Sequence, residues 1–543
     1  MGKTKFSNKE FSSLVTRRDY SKITKDFEAP NLLDIQKKSF SRFMETNLEN
    51  TISSFFPINS IGKRYTLSFH GIEFDKPKRT TTQCREEGKT FGKSLYVKLE
   101  LTDNESGEVK KIKKNKNSKN TGIFFCDIPV MTDKGTFVVN GIEKIVISQI
   151  VRSPGPYMFS KAQIKLSNSR KRTQEGYICE ILPSKGTLFL IFISKNKKYV
   201  QAMFRNSSGD STSILPVTSF FKALGMNEEE ILNIFDKNPY ITESLNKEDY
   251  NRSQILKDPQ IVNLLKTVTK DSVAEDRART IDFKLKKMIY DFKKYIDTDD
   301  KLIVSKDAND KKEMYKLLDQ IICEKASKDL VELLSISTRQ QDSKLRVQKN
   351  SDICFQSMVY KHFFDNKFYD LSSAGRYKLI RKLRLSERLY QRILAEDLKD
   401  KNGKIVLKKG TVIHKEELDK IKNWTKDLVI DIRNKVPVTN GLNSKDFDYG
   451  STYEKIHVYI DNENQTESIP IIGVDNNLTC NSLRISDLVS IVSYVIDLTH
   501  NVGVYDDIDH LGNKRIKLIH ELLIQKCQLG LVRLEKFINE KLI

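Results

Sequence analysis

The clearest patterning of apolar and polar positions lies between Phe137 and Val151. Phe137-Val138-Val139 and the run from Ile142 to Val151 are rich in β-branched residues, and Asn140-Gly141 stands between them. That dipeptide supplies the two positive φ angles of a type I′ turn, so the pattern predicts a buried β-hairpin. Arg152-Ser153-Pro154-Gly155-Pro156 follows. Its two prolines fix φ and remove donors, so the strand must stop, leaving Arg152 at the mouth of a rigid loop.

Elsewhere the periodicity alternates between the two classes of element. Asn31 is a candidate N-cap for a helix that puts Leu33, Gln36, Phe40, Phe43 and Met44 on one face. Short β-like runs fill Tyr65 to Val109, and Tyr177 to Phe192 is strand-rich around a turn at Pro183-Ser184-Lys185-Gly186. Asn227 with Glu230 fits a capping box. Residues 240–350 read as a highly charged helical region in which Met314, Leu317, Leu318, Ile321 and Ile322 recur at helical spacing. Asn402-Gly403 predicts a hairpin between Leu398 and Val406, and the polar stretch Ser444 to Gln465 reads as a linker. Ser486 is expected to cap a helix to about Thr499, with Leu488, Val489, Val492 and Ile496 on its buried face. A last helix is expected from Ile516 to Leu542, with Gly530 inside it.

Composition narrows the class. A chain of 543 residues with 38% hydrophobic and 30% charged residues has the make-up of a soluble protein with two or three cores. No apolar run approaches the ~18 residues that a membrane helix needs, and Met1 to Ser13 lacks the apolar segment of a signal peptide, so a cytoplasmic location is expected. Seven scattered cysteines without a C-x-x-C pair are expected to be reduced core residues. The net charge of +21 and pI near 9.3 point to an anionic partner, nucleic acid ahead of membrane, although a Lys- and Asn-rich composition alone also drifts basic. The run Lys110 to Lys119 is either a solvated hairpin end or a phosphate-contacting patch.

Three places invite a chemical reading. Gly88-Lys89-Thr90 and Gly92-Lys93-Ser94 suggest a phosphate loop, but Gln83 and Glu87 stand where such a loop needs glycine. Asp506-Asp507-Ile508-Asp509-His510 has the oxygen density of a hard-metal site. The alternative is a polar loop whose carboxylates fix neighbouring cations, notably Lys514 and Arg515. Arg376 and Lys378, in the segment from Phe363 to Leu379, face either nucleic acid or solvent. No paired nucleophile and base emerges.

The stretch Asp127 to Met158, with Gly-Thr-Phe, Asn-Gly, Glu-Lys, Ser-Gln and Arg-Ser-Pro-Gly in register, resembles the β subunit of bacterial-type DNA-directed RNA polymerase. Pro30 to Gln36, Leu215 to Gly225, Phe363 to Leu379 and Asp506 to Arg515 resemble the same family in its own order. The resemblance implies an α+β protein in which a lobe domain is inserted into a protrusion domain. The expected division is 1–150 protrusion, 151–450 lobe with 240–350 helical and divergent, 451–484 linker, and 485–543 returning to the protrusion.

It further implies a non-catalytic N-terminal part of the β subunit that forms one wall of the DNA cleft. In the family the residue matching Asp509 accepts hydrogen bonds from a flipped-out non-template guanine, in a pocket also lined at the positions of Arg152 and Lys514. Leu188 stands where family members carry a tryptophan, and Lys514 where they carry arginine, which weakens that pocket. The expected nucleic-acid-binding set is therefore Arg152, Asp509, Lys514, Arg515, Arg376 and Lys378. No cofactor is expected in this chain, the catalytic Mg²⁺ belonging to the partner β′ subunit. Implied partners are DNA, β′, α, the remainder of β and sigma factor, with no membrane. The rival reading is a stand-alone DNA-binding or assembly module without polymerase partners.

Overall fold

The computed structural model describes residues 31–541 except 61–63, 112–121, 165–171, 206–213, 248–257, 272, 274–282, 297–307, 339–358, 360–361, 366–367, 400–403, 419–452, 461–466 and 475–479. The Asn402-Gly403 turn and most of the basic run Lys110 to Lys119 lie outside the described residues. Both helices and strands are well represented, as an α+β chain requires. The chain forms two compact units, one of residues 1–151 with 514–543, the other of residues 152–513.

The first unit opens with α1 (Asp34–Arg42), which runs through a π turn at Phe43–Asn47 into α2 (Leu48–Ser53). Phe40, Phe43, Leu48 and Ile52 are buried on one side, as the spacing predicts, whereas Leu33 stays exposed. These helices cover a five-stranded antiparallel sheet of β1 (Ile58–Asn59), β2 (Tyr65–Phe74), β3 (Gly92–Asp103), β4 (Val109–Lys111) and β5 (Ile123–Pro129), with β3 paired to β2, β4 and β5. Between β2 and β3, α3 (Thr81–Glu86) is capped by Thr80 and Gln83. Gln83 thus serves a helix start, and the triplet after it serves the hairpin: Gly141 N–H donates to the Lys89 carbonyl at 2.9 Å.

That hairpin is β6 (Phe137–Val139) and β7 (Ile142–Lys144), with φ of 51° at Asn140 and 76° at Gly141. The turn is as predicted, but only one strand is buried. Val138 is fully covered, while Ile142, Ile145, Ile147 and Ile150 are 61–75% exposed. The two strands form a sheet of their own, and Phe137 of the first strand joins the core of the unit. The run ends in β8 (Gln149–Arg152).

The second unit is built on a five-stranded antiparallel sheet in sequence order: β9 (Gly155–Ile164), β10 (Arg172–Leu182), β11 (Leu188–Ser194), β12 (Gln201–Arg205) and β13 (Leu215–Pro216). Helices α4 (Val217–Ala223), α5 (Glu228–Ile234) and α6 (Pro239–Asn246) follow, α5 starting at the predicted box with Asn227 N–H bonded to Glu230 at 3.3 Å. Next, α7 (Pro259–Thr267), α8 (Phe283–Phe292) and α9 (Ala308–Thr338) form a small helical core of their own that buries Met314, Leu318, Ile321 and Ile322.

The chain then returns through α10 (Ser372–Leu383) and α11 (Leu385–Arg388), and through hairpins β14 (Leu398–Lys399) with β15 (Ile405–Leu407) and β16 (Tyr453–Tyr459) with β17 (Ser468–Val474). The stretch read as a linker therefore contains a strand. Ile456 and Val458 supply its buried side, a two-residue alternation that the surrounding polar residues obscure.

Helix α12 (Ile485–Thr499) is buried all round from Ile485 to Leu498, because β10 and β11 cover one side and β17 another. Ser486 lies inside its first turn, buried, and its hydroxyl has no partner among the described residues. The N-cap position is Arg484, whose N–H donates at 2.8 Å to the carboxylate of Asp487 at the third helical position. Residues 485–513 belong to this second unit. The chain re-enters the first unit as β18 (Lys514–Lys517), paired with β8, and α13 (Ile519–Lys541), so the last helix starts three residues later than predicted and a strand precedes it. Leu531 buries α13 against the first unit's core.

Candidate nucleic-acid interface

The site in the second unit grows from one tyrosine. Gly155 opens β9 at a φ of 130° with the Lys378 side chain packed 3.1 Å from where a Cβ would lie, so only glycine lets α10 approach. Tyr157, two residues on, is fully buried. Its hydroxyl donates to the Ser153 carbonyl and toward the Asn513 carbonyl at 3.1 Å. Two cations share its ring: Lys378 Nζ lies 3.8 Å from the centroid and the Arg152 guanidinium 5.7 Å. Arg152 is also held by Glu180 at 3.4 Å. Burial pushes the Lys378 ammonium down to about 8, neighbouring Lys382 and Arg152 add to that, and Asp506 opposes it.

The acidic loop is sorted by its contacts. The Asp506 carboxylate accepts from the Met158 N–H at 2.7 Å and pairs with Lys382, while the Asp506 N–H donates to the Met158 carbonyl at 2.8 Å. Asp506 therefore docks the loop as an added rung on β9. Asp507 closes a local turn by accepting from the Asp509 N–H at 2.9 Å, and His510 does the same for Gly512 at 3.0 Å. Asp509 sits exposed at the tip. A 3₁₀ turn at Leu511–Asn513 ends the loop, and Asn513 accepts from Lys378 at 2.5 Å. Among the described residues no group of three or more His, Cys, Asp or Glu side chains is placed to hold a metal ion.

Of the residues expected to bind nucleic acid, Arg152, Lys378 and Asp509 thus belong to one bonded assembly around Tyr157 and Asn513. Lys514 and Arg515 lie in the first unit as half-buried residues of β18, and Arg515 is paired with Glu521 at 2.6 Å. Leu188 opens β11 opposite Arg205, half-buried against the Tyr157 side of the sheet.

Arg376 departs from expectation. It is only 4% exposed, with both Asp487 oxygens 2.8 Å from one guanidinium nitrogen and the Cys480 and Ser482 carbonyls on the others. Burial raises the Asp487 carboxyl against the downward pull of that arginine. All the donors of Arg376 face inward, so it fixes α10 to α12 and leaves nothing for a phosphate. Spacing in the sequence could not separate it from Lys378, two residues along the same helix. Tyr157, Asp506 and Asn513 lie inside the stretches that carry the family resemblance and Lys382 just beyond one of them, yet their roles follow from pairings across more than a hundred residues.

A family model described as RNA polymerase beta subunit matches residues 31–447, and one described as RNA polymerase Rpb2, domain 2, matches residues 411–517. The chain is 55% identical to the DNA-directed RNA polymerase subunit beta of Malacoplasma penetrans, over 100% of this chain and 39% of that protein. It is 45% identical to the corresponding subunit of Mycoplasmoides gallisepticum, over 99% of this chain and 39% of that protein, and 44% identical to that of Mycoplasma genitalium, over 99% and 40%. The chain spans about two fifths of the length of these curated relatives. With a family model matched over most of its length, this chain belongs to the RNA polymerase beta subunit family.

Proposed function

We propose that this chain acts as the non-catalytic N-terminal part of a polymerase β subunit, forming one wall of the DNA cleft and contacting downstream and non-template DNA. In this reading the first unit is the protrusion and the second the lobe. The assembled enzyme, with the rest of β, β′, α and sigma factor, carries out nucleotidyl transfer with Mg²⁺ held by β′. The observation that carries the reading is the loop 506–513, docked through Asp506 with Asp509 exposed at its tip and joined to Lys378 through Asn513. A carboxylate accepts the donors on the Watson–Crick edge of an unstacked guanine, and the cations on Tyr157 suit the flanking phosphates.

Binding of the 543-residue chain to fork DNA, followed by fluorescence anisotropy, tests this. The logarithm of the affinity should fall against log salt with a slope of about −0.9 for each duplex phosphate neutralised. Asp509→Ala should erase a preference for guanine at one unpaired non-template position while changing overall affinity little. Equal loss on every sequence would sink the assignment of Asp509, and a salt-insensitive affinity would sink the DNA-wall reading.

A further inference from the structure

Four hydrogen bonds converge on Asn513, the last residue of the acidic loop. Its side-chain oxygen accepts from Lys378 at 2.5 Å, and its side-chain NH₂ donates to the Asp507 carbonyl at 2.5 Å. Its backbone carbonyl accepts from the Ser153 N–H at 2.9 Å and its backbone N–H donates to the His510 carbonyl at 2.9 Å, while the Tyr157 hydroxyl, whose proton goes to the Ser153 carbonyl, lies 3.1 Å from the Asn513 carbonyl oxygen. The orientation of the amide follows from its partners: reversed, it would set NH₂ against an ammonium and an oxygen against a carbonyl. The two backbone bonds survive any change of side chain. The other two do not, and together with the Lys382–Asp506 pair they tie helix α10 to the loop that carries Asp509.

We propose that Asn513 is the positioning residue of this site: by bridging Lys378 to Asp507 it fixes the direction in which Asp509 meets a base, and so sets base selectivity without touching the base. The inference rests on the reading of Asp509 as a base acceptor. Its physical ground is directional. A carboxylate on a loose loop accepts from whichever donor arrives, whereas one held at a fixed angle selects a base whose donors match it. The Lys378 bond is charge-assisted, and the neighbouring residues of the tip are already held by short turns at Asp507 and His510. Removal of the bridge therefore loosens the turns of residues 507–512 against α10, while Asp506 and the Asn513 backbone still hold the two ends of the loop.

Asn513→Leu keeps the size of the side chain and removes both of its bonds. Lys378→Met keeps an unbranched stem over Tyr157 and removes the donor. In the full chain, each should bring the guanine preference, on the order of tenfold for one well-aligned contact, close to parity, with overall affinity for fork DNA falling less than about threefold for one lost phosphate contact. The double variant should add nothing. Hydrogen exchange gives a readout independent of DNA: the Asp509 and Gly512 amides should exchange faster in Asn513→Leu, and the Gly512 amide should stay protected in Asp509→Ala. If Asp509→Ala abolishes the preference while Asn513→Leu keeps it, the positioning role falls and the reading of Asp509 stands. If Asp509→Ala keeps the preference, that reading falls and the positioning role with it. Unchanged exchange in Asn513→Leu overturns the proposal whatever the DNA data show.

Discussion

Arg152, Arg376 and Lys378 differ less in chemistry than in what surrounds them. Arg376 is locked in the interior by Asp487, Cys480 and Ser482, so its charge is spent on joining two helices. Lys378 lies two residues along the same helix, half-buried over Tyr157, with its ammonium pushed down to about 8. The sign of that shift gives a prediction. A base whose folded value lies below its ordinary one loses its proton earlier as pH rises, so between pH 7 and 9 the Lys378 charge should disappear while ordinary lysines keep theirs. If Lys378 neutralises a phosphate, the slope of log affinity against log salt should shrink by up to about 0.9 over that interval. The shrinkage should be absent in Lys378→Met, and its persistence there would assign the effect to another group. None of this is legible in the sequence. The partners of Arg376 lie 104 to 111 residues away, and no local pattern reports a contact at that separation.

At the scale of elements, what could be read in advance is what local chemistry decides. Asn140-Gly141 makes its turn because two consecutive positive φ angles suit that pair, and a Cβ on Gly141 would come within 2.8 Å of Gly88. The box at Asn227 forms for the same kind of local reason. Burial is a property of neighbours, and there the pattern misleads: β7 carries an isoleucine that faces outward, and α12 buries its serines as well as its apolar stripe. Gly530 is the reverse case. It sits inside α13 with open space where a Cβ would be, so no close approach requires it. Gly530→Ala should therefore raise stability by about 0.5–1 kcal/mol through helix propensity and a less flexible unfolded chain. A urea titration followed by circular dichroism would measure it, and an unchanged or lowered midpoint at the same slope would mean that the open space is needed.

On the scale of the whole chain, the resemblance placed the first part and the last 60 residues in one domain, and the contacts draw that boundary nearer the end, at Val151 and Asn513. The reason lies in α12, whose apolar residues fall on every side. It is buried in the core of the second unit, and only β18 and α13 return to the first. In the first unit the chain leaves from β8 and comes back on β18, and those two strands are paired. Neighbouring ends of this kind need little chain to join them, and the loop-closure cost of a short connection is small. A protein made of residues 31–151 joined through a short Gly-Ser linker to 514–541 should therefore fold alone, keeping the core of Phe40, Phe43, Leu95, Val97 and Leu531. It should unfold in one cooperative step by near-UV circular dichroism, studied at low micromolar concentration because Ile142, Ile145, Ile147, Ile150 and Ile516 are exposed on it. A non-cooperative melt with dye-binding apolar surface would mean that this core closes only with residues 152–513 in place, and that the two units are parts of one cooperative fold.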